Sequence, residues 1–190
     1  MLSSITPLGQ RGRGMSWTRT VVTFWIGAVG AAVLVFSAAG LVGSLVGANT
    51  LSPWVAIAVL ALALAFDLAG VRPPGPHRQV NEDWLGRYRD WVVGFGFGAQ
   101  LGFGFLTIVP TFGYWALVLV AGLVGLPVAA LIGAAFGIGR SLLLLSTRDI
   151  ISPSALSARM RRFAGAERRA RWLVFASYVG VILVVSINVA

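Results

Sequence analysis

Two stretches of this 190-residue chain carry no charged side chain: Thr20 to Phe66, a run of 47 residues, and Trp91 to Gly139, a run of 49. A third clean run, Trp172 to Ala190, closes the chain. A helix needs roughly 20 apolar residues to cross a bilayer. The first two runs therefore each hold two passes, and the third holds one. A soluble core has no place for so much uninterrupted apolar sequence in so short a chain. Composition agrees, with 57% hydrophobic and 11% charged residues, against about 25% charged in an ordinary soluble domain. The sequence predicts an all-α, polytopic membrane protein of about five spans, built as one transmembrane domain over 21–190 behind a cytoplasmic tail at 1–20.

Span one is read at 21–47. Its apolar stretch covers 27 residues, far more than the roughly 7–15 of a cleaved signal sequence, so it is read as a retained helix. The tail before it, with Pro7, Gly9, Gly12 and Gly14, reads as mobile. Span two is read at 51–70, with Pro53 in its first turn, where proline is tolerated. Arg72-Pro73-Pro74-Gly75-Pro76 stops it. Residues 91–124 read as one discontinuous element broken at Pro110, and 127–146 as an ordinary span. Ser152-Pro153 is a helix start, opening a basic helix over 154–171 that is read as lying in the membrane interface, with Leu156, Met160 and Phe163 on its apolar face. The last span is 172–189.

Orientation follows from charge. All 15 basic residues are arginine, and outside the spans they fall in the tail and in the segments 72–89 and 148–171. Gaps 48–53 and 110–113 have none. The positive-inside rule then puts the N-terminus and the basic loops in the cytoplasm, gaps 48–53 and 110–113 outside, and the C-terminus outside, in a plasma (inner) membrane. A formal charge of +9 placed this way reads as orientation signal and contact with anionic headgroups rather than nucleic-acid binding. Arg159, Arg161, Arg162, Arg168, Arg169 and Arg171 are the expected lipid contacts.

Chemistry is sparse. With no cysteine, disulfides, thiolate metal sites and thiol exchange are excluded. The lone His77 makes no metal site. Gly94-x-Gly96-x-x-Ala99 loosely matches a dinucleotide fingerprint, but no strand precedes it. No nucleophile–base pair, paired carboxylates or phosphate loop is present, so the sequence predicts no enzyme and calls for no cofactor. Gly94, Gly98 and Gly102, at four-residue spacing, form a face that lets another helix backbone approach, and Gly133 and Gly137 form a second. Non-helical backbone at membrane depth is tolerated only where it is buried in protein or lines a cavity. Gln100, Thr107, Pro110, Thr111 and Tyr114, around the break, are therefore the candidate substrate-binding residues. Asp67 and Arg140, the charges inside spans, are expected to pair, since an intramembrane arginine costs roughly 2.5–3.5 kcal/mol.

The stretch GFGFGAQLGFGFLTIVPTFGYW, followed by Leu126-Pro127 and Gly133-x-x-x-Gly137-x-Gly139, resembles the second half of the CcdA/DsbD-type cytochrome c biogenesis membrane domain, of the LysE-like exporter group. Gly102, Gly104, Thr107 and Pro110 match that pattern. The reactive cysteine beside the proline does not, since Ile108 and Val109 fill its neighbourhood, and the first helix of the family looks absent. The resemblance covers about 21–190. It implies a midplane site at broken helices, as in inverted-repeat transporters, but not an electron relay through thiols. The expected function is a permease- or exporter-like protein moving a small solute, as a homo-oligomer or with a partner membrane subunit. The alternatives are a non-transporting scaffold that docks a cytoplasmic partner and a cysteine-free accessory of a thiol-redox system.

Overall fold

Helix-forming apolar sequence punctuated by proline and glycine gives a chain of helices whose ends fall at those breakers. The computed structural model describes residues 5–50, 52–76 and 84–189, and every regular element among them is helical. The elements are α1 (Pro7–Arg11), α2 (Trp17–Leu45), a 3₁₀ turn (Ala48–Thr50), α3 (Trp54–Leu68), α4 (Trp84–Arg87), α5 (Asp90–Phe103), α6 (Gly113–Val124), α7 (Leu126–Leu145) and α8 (Pro153–Val189). Helices α2 and α7 are long and apolar enough to cross a bilayer, while α3 and α6 are shorter apolar helices. His77 lies outside the described residues, as do the side chains of Arg168, Arg169 and Arg171.

Helix α2 is the axis around which the rest packs, and small residues set its contacts. A Cβ on Gly94 would strike the carbonyl of Thr20; on Gly98, that of Phe24; on Gly102, that of Ala28. As α5 advances by one turn, so does α2, so the two helices run parallel from a common level. Further along, Gly43 abuts Gly122 of α6 and Phe36 meets Tyr114. Helix α6 therefore continues in the same direction beside the second half of α2. Helices α5 and α6 are two halves of one line, broken beside the middle of α2. Helix α7 then returns antiparallel: a Cβ on Gly133 would lie 2.8 Å from the Ala32 carbonyl oxygen, and one on Gly137 2.7 Å from the Val29 Cα. The bulky side chains go elsewhere. Val22, Ile26, Leu34, Leu41 and Leu45 of α2 all lie exposed on the outer surface.

Four expectations from the sequence change here. The tail is packed rather than mobile: Ile5, Thr6 and Gln10 are buried, and Ile5 joins the cluster of Val21, Phe24, Val93, Phe97 and Leu144. The backbone N–H of Leu8 donates to the Ile150 carbonyl at 3.1 Å and the Thr147 hydroxyl to that of Ile5 at 3.2 Å. Charge and glycine content hide this in the sequence, because the large apolar side chains of the tail are few and scattered among them. Second, residues 110–113 are not an outer turn. They sit at the middle of α2, and the turn back is made by Gly125 at φ +76, a left-handed conformation that suits glycine.

Third, span two does not run the length read for it. Helix α3 has 15 residues, about 22 Å at 1.5 Å per residue, and Phe66 in its last turn packs on Phe112 at the start of α6. It ends beside the break because Gly70 takes φ +71 and the Val71 N–H donates to the Phe66 carbonyl at 3.0 Å, a glycine cap that closes the helix. Fourth, the interfacial helix and the last span are one helix, α8, of 37 residues. Nothing between Arg171 and Trp172 interrupts helical geometry, and an amphipathic stripe identifies a face without fixing where the axis points. On that helix Arg161 and Arg162 are exposed, while Arg159, Leu156, Met160 and Phe163 are half-buried.

Candidate functional site

The break begins where Gly104 takes φ +71 and lifts the chain off the axis of α5. A side chain there would run into the ring of Tyr114, whose hydroxyl donates to the Phe103 carbonyl at 2.6 Å. The last carbonyls of α5 are thus met from the first turn of α6. The Thr107 hydroxyl donates to the Gly104 carbonyl at 3.2 Å, and Pro110 then prevents helix from resuming immediately. Tyr114 also anchors an aromatic cluster, with ring centroids 6.3 Å from Phe36 and 5.6 Å from Phe136.

Asp67 sits where two half-helices meet. A carboxylate in the last turn of α3 is disfavoured by that helix's own dipole, but the N-terminus of α6 faces it with the opposite polarity. The Phe112 N–H donates to Asp67 Oδ1 at 2.8 Å, and the Tyr178 hydroxyl of α8 donates to Oδ2 at 2.9 Å. The Thr111 hydroxyl lies beside the same phenol. The Trp115 indole N–H donates to the Pro74 carbonyl at 2.9 Å, pinning the proline-rich loop to the break. Asp67 is therefore held by a backbone N–H and a tyrosine, and it forms no ion pair with Arg140. That expected pair rested on similar depth; depth alone does not say which neighbours stand between.

Around the break is a cavity of about 300 Å³, lined by Pro110, Thr111, Tyr114, Arg140 and Tyr178 among polar and turn residues and by Leu60, Val109, Leu117, Phe136 and Val174. Of the residues singled out in the sequence, Pro110, Thr111 and Tyr114 line it, Arg140 joins them, and Asp67 stands behind Tyr178. Gln100 and Thr107 do not line it. Thr107 is buried and spends its hydroxyl on the break itself, and Gln100 belongs to α5, before the turn. Arg140 lies with its guanidinium carbon 5.4 Å from the Phe136 ring centre. Among the described residues it has no hydrogen-bond acceptor and no carboxylate partner.

Two residues escape the sequence reading. Tyr178 is a polar side chain in a mostly apolar span, the same signal that draws attention to Tyr114. Asp90 marks the start of α5: its carboxylate accepts from the Trp91 N–H at 2.9 Å and the Ser16 N–H at 3.4 Å, and lies 3.5 Å from Arg19. Because α2 and α5 are parallel, one acid serves both N-termini.

No protein-family model matches the chain, and no solved structure matches it. It is similar to the methylamine utilization protein MauF of Paracoccus versutus, with 31% identity over 117 residues, which is 58% of this chain and 43% of that protein. The chain thus spans less than half the length of this relative.

Proposed function

We propose that this protein crosses the inner membrane about five times, N-terminus in the cytoplasm and C-terminus outside, and passes a small solute through the cavity at the broken α5–α6 line. The observation that carries the reading is that cavity: it opens where the backbone leaves helical geometry, and its wall holds an arginine with no partner among the described residues. Non-helical backbone inside a bilayer is tolerated where it lines a cavity, and a broken helix at mid-depth is the geometry of inverted-repeat transporter sites. The resemblance to CcdA/DsbD-type and LysE-like domains supports the same reading. The bilayer assignment draws on the distribution of side chains. Glycine and alanine face α2 while valine, isoleucine and leucine face outward, as expected where lipid is the solvent. The partial similarity to MauF, a methylamine utilization protein, agrees with a role connected with methylamine utilization.

The absence of cysteine makes the test direct. Single cysteines at Thr111 and Leu117, in the cavity, are exposed to a membrane-impermeant maleimide from each side, with Thr107→Cys as the dry control and Thr50 and Arg148 as side markers. Labelling at 111 and 117 but not at 107 is expected, with the markers reacting from opposite sides. Unreactive cavity positions in a folded protein would overturn the solute path and leave a packed membrane scaffold whose basic helix docks a cytoplasmic partner.

A further inference from the structure

We infer that the cavity at the break takes a small monocarboxylate, its charge met by the guanidinium of Arg140. This rests on reading the cavity as a solute site and names the class of solute.

The first argument is the direction of the side chain. Arg140 lies in the second half of α7, little more than a turn from its C-terminal end at Leu145, where the arginine-rich tail and loops gather. An arginine near a helix end in a membrane ordinarily reaches for that end, where its charge meets headgroups and water. Arg140 does the reverse. Its guanidinium leans back over Phe136, one turn toward the start of the helix, and forms part of the cavity wall beside Tyr114 and Thr111. The charge is directed inward, to the middle of the bundle.

The second argument is charge balance. Among the lining residues Arg140 is the sole formal charge. Asp67, whose carboxylate stands at the break, has both oxygens engaged, by the Phe112 N–H and the Tyr178 hydroxyl, and the Tyr114 hydroxyl donates to Phe103. What is left over among the described residues is a cation with its donors unspent. A guanidinium matches a planar carboxylate with two parallel hydrogen bonds. The remaining wall, Leu60, Val109, Leu117 and Val174, suits a short apolar tail and not a heavily hydrated multivalent anion. A volume of about 300 Å³ lies at the small end for ligand sites. An amine protonated at neutral pH, such as methylammonium, would meet Arg140 as a like charge.

The test uses the full-length protein in detergent, titrated calorimetrically at constant ionic strength with sodium propionate, methylammonium chloride and sodium phosphate. Saturable binding of propionate alone is expected. Arg140→Gln weakens it by about thirtyfold or more, as for a buried charge pair that loses one member, and Arg140→Lys falls between. Leu117→Trp, which fills the cavity without touching the charge, abolishes binding too and guards against a misfolded Arg140 variant. Equal propionate binding by Arg140→Gln, or binding of methylammonium or phosphate in place of propionate, would overturn the assignment. If Thr111→Cys is labelled but propionate does not bind, the carboxylate falls and the solute path stands. If neither occurs, both fall.

Discussion

Replacing Gly98 with alanine tests the parallel packing of α2 and α5 on which the position of the break depends. Alanine in place of glycine in a helix interior gains about 0.8–1.0 kcal/mol in helix propensity alone. Gly30, also in α2, has nothing within 4 Å of where a Cβ would stand, so Gly30→Ala keeps that gain and raises stability by about 1 kcal/mol. At Gly98 the same methyl meets the Phe24 carbonyl oxygen and comes within 2.8 Å of its carbon and 2.9 Å of its Cα. These are backbone atoms of a 29-residue helix, with no rotamer to give way, so α5 has to move. Overpacking of this kind costs about 1–3 kcal/mol. At the upper end of that range the propensity gain is outweighed, and Gly98→Ala loses about 2 kcal/mol net. The two variants therefore differ by about 3 kcal/mol with opposite signs. Both are measured by loss of helical circular dichroism as SDS is titrated into the detergent-solubilised protein. If both variants stabilise, α5 does not approach α2 along its glycines, and Gly98 does not face Phe24.

Asp67→Asn and Tyr178→Phe each remove a hydrogen bond that involves a charged group, with an expected loss of about 1.5–3 kcal/mol apiece. The double variant should lose clearly less than the sum, because the two residues share one contact; additive losses in the same titration would separate them. Gly104→Ala forces a side chain into positive φ and against the Tyr114 ring, so it should cost at least about 1–2 kcal/mol and shift the tyrosine fluorescence; an unchanged protein would mean that the break is not closed by Tyr114. Ile5→Ala, in a residue with no exposed surface, should cost about 2–5 kcal/mol, whereas a mobile tail would register no change.

Legibility in the sequence follows the kind of signal each element carries. Uninterrupted apolar runs mark helices strongly, and α2 and α7 lie close to the spans read at 21–47 and 127–146. Proline and glycine mark stops, so the interruption of 91–124 is visible. What they do not mark is level: whether a break faces solvent or lies at the middle of a neighbour depends on register, and register is carried by the pairing of Gly94, Gly98 and Gly102 with Thr20, Phe24 and Ala28. Four-residue spacing in one helix announces a close approach without naming the partner or its direction. The end of α3 is hidden for the same reason. Its sequence reads as a span to Gly70 with one charge, Asp67, in its last turn, yet what matters is that Asp67 meets Phe112, a contact 45 residues away. Side-chain roles are least visible where competing partners exist. Thr107 and Thr111 look equivalent in sequence, but one completes the turn after Gly104 and the other faces the cavity.

The treatment of the two interior charges is linked. Had Asp67 and Arg140 paired, each would have neutralised the other, and the break would be a polar plug with no demand for a third party. Instead the opposing ends of two half-helices supply what Asp67 needs: α3 brings the carboxylate to the level of the break, α6 presents its N-terminal N–H there, and α8 adds the Tyr178 hydroxyl. None of these groups carries a positive charge. The carboxylate is thereby stabilised without using up the arginine, and Arg140, over the Phe136 ring, is left without an acceptor among the described residues. A helix broken at mid-length is what permits this. The break creates an N-terminus inside the bundle, and that N-terminus, together with the Tyr178 hydroxyl, satisfies the anion without a cation.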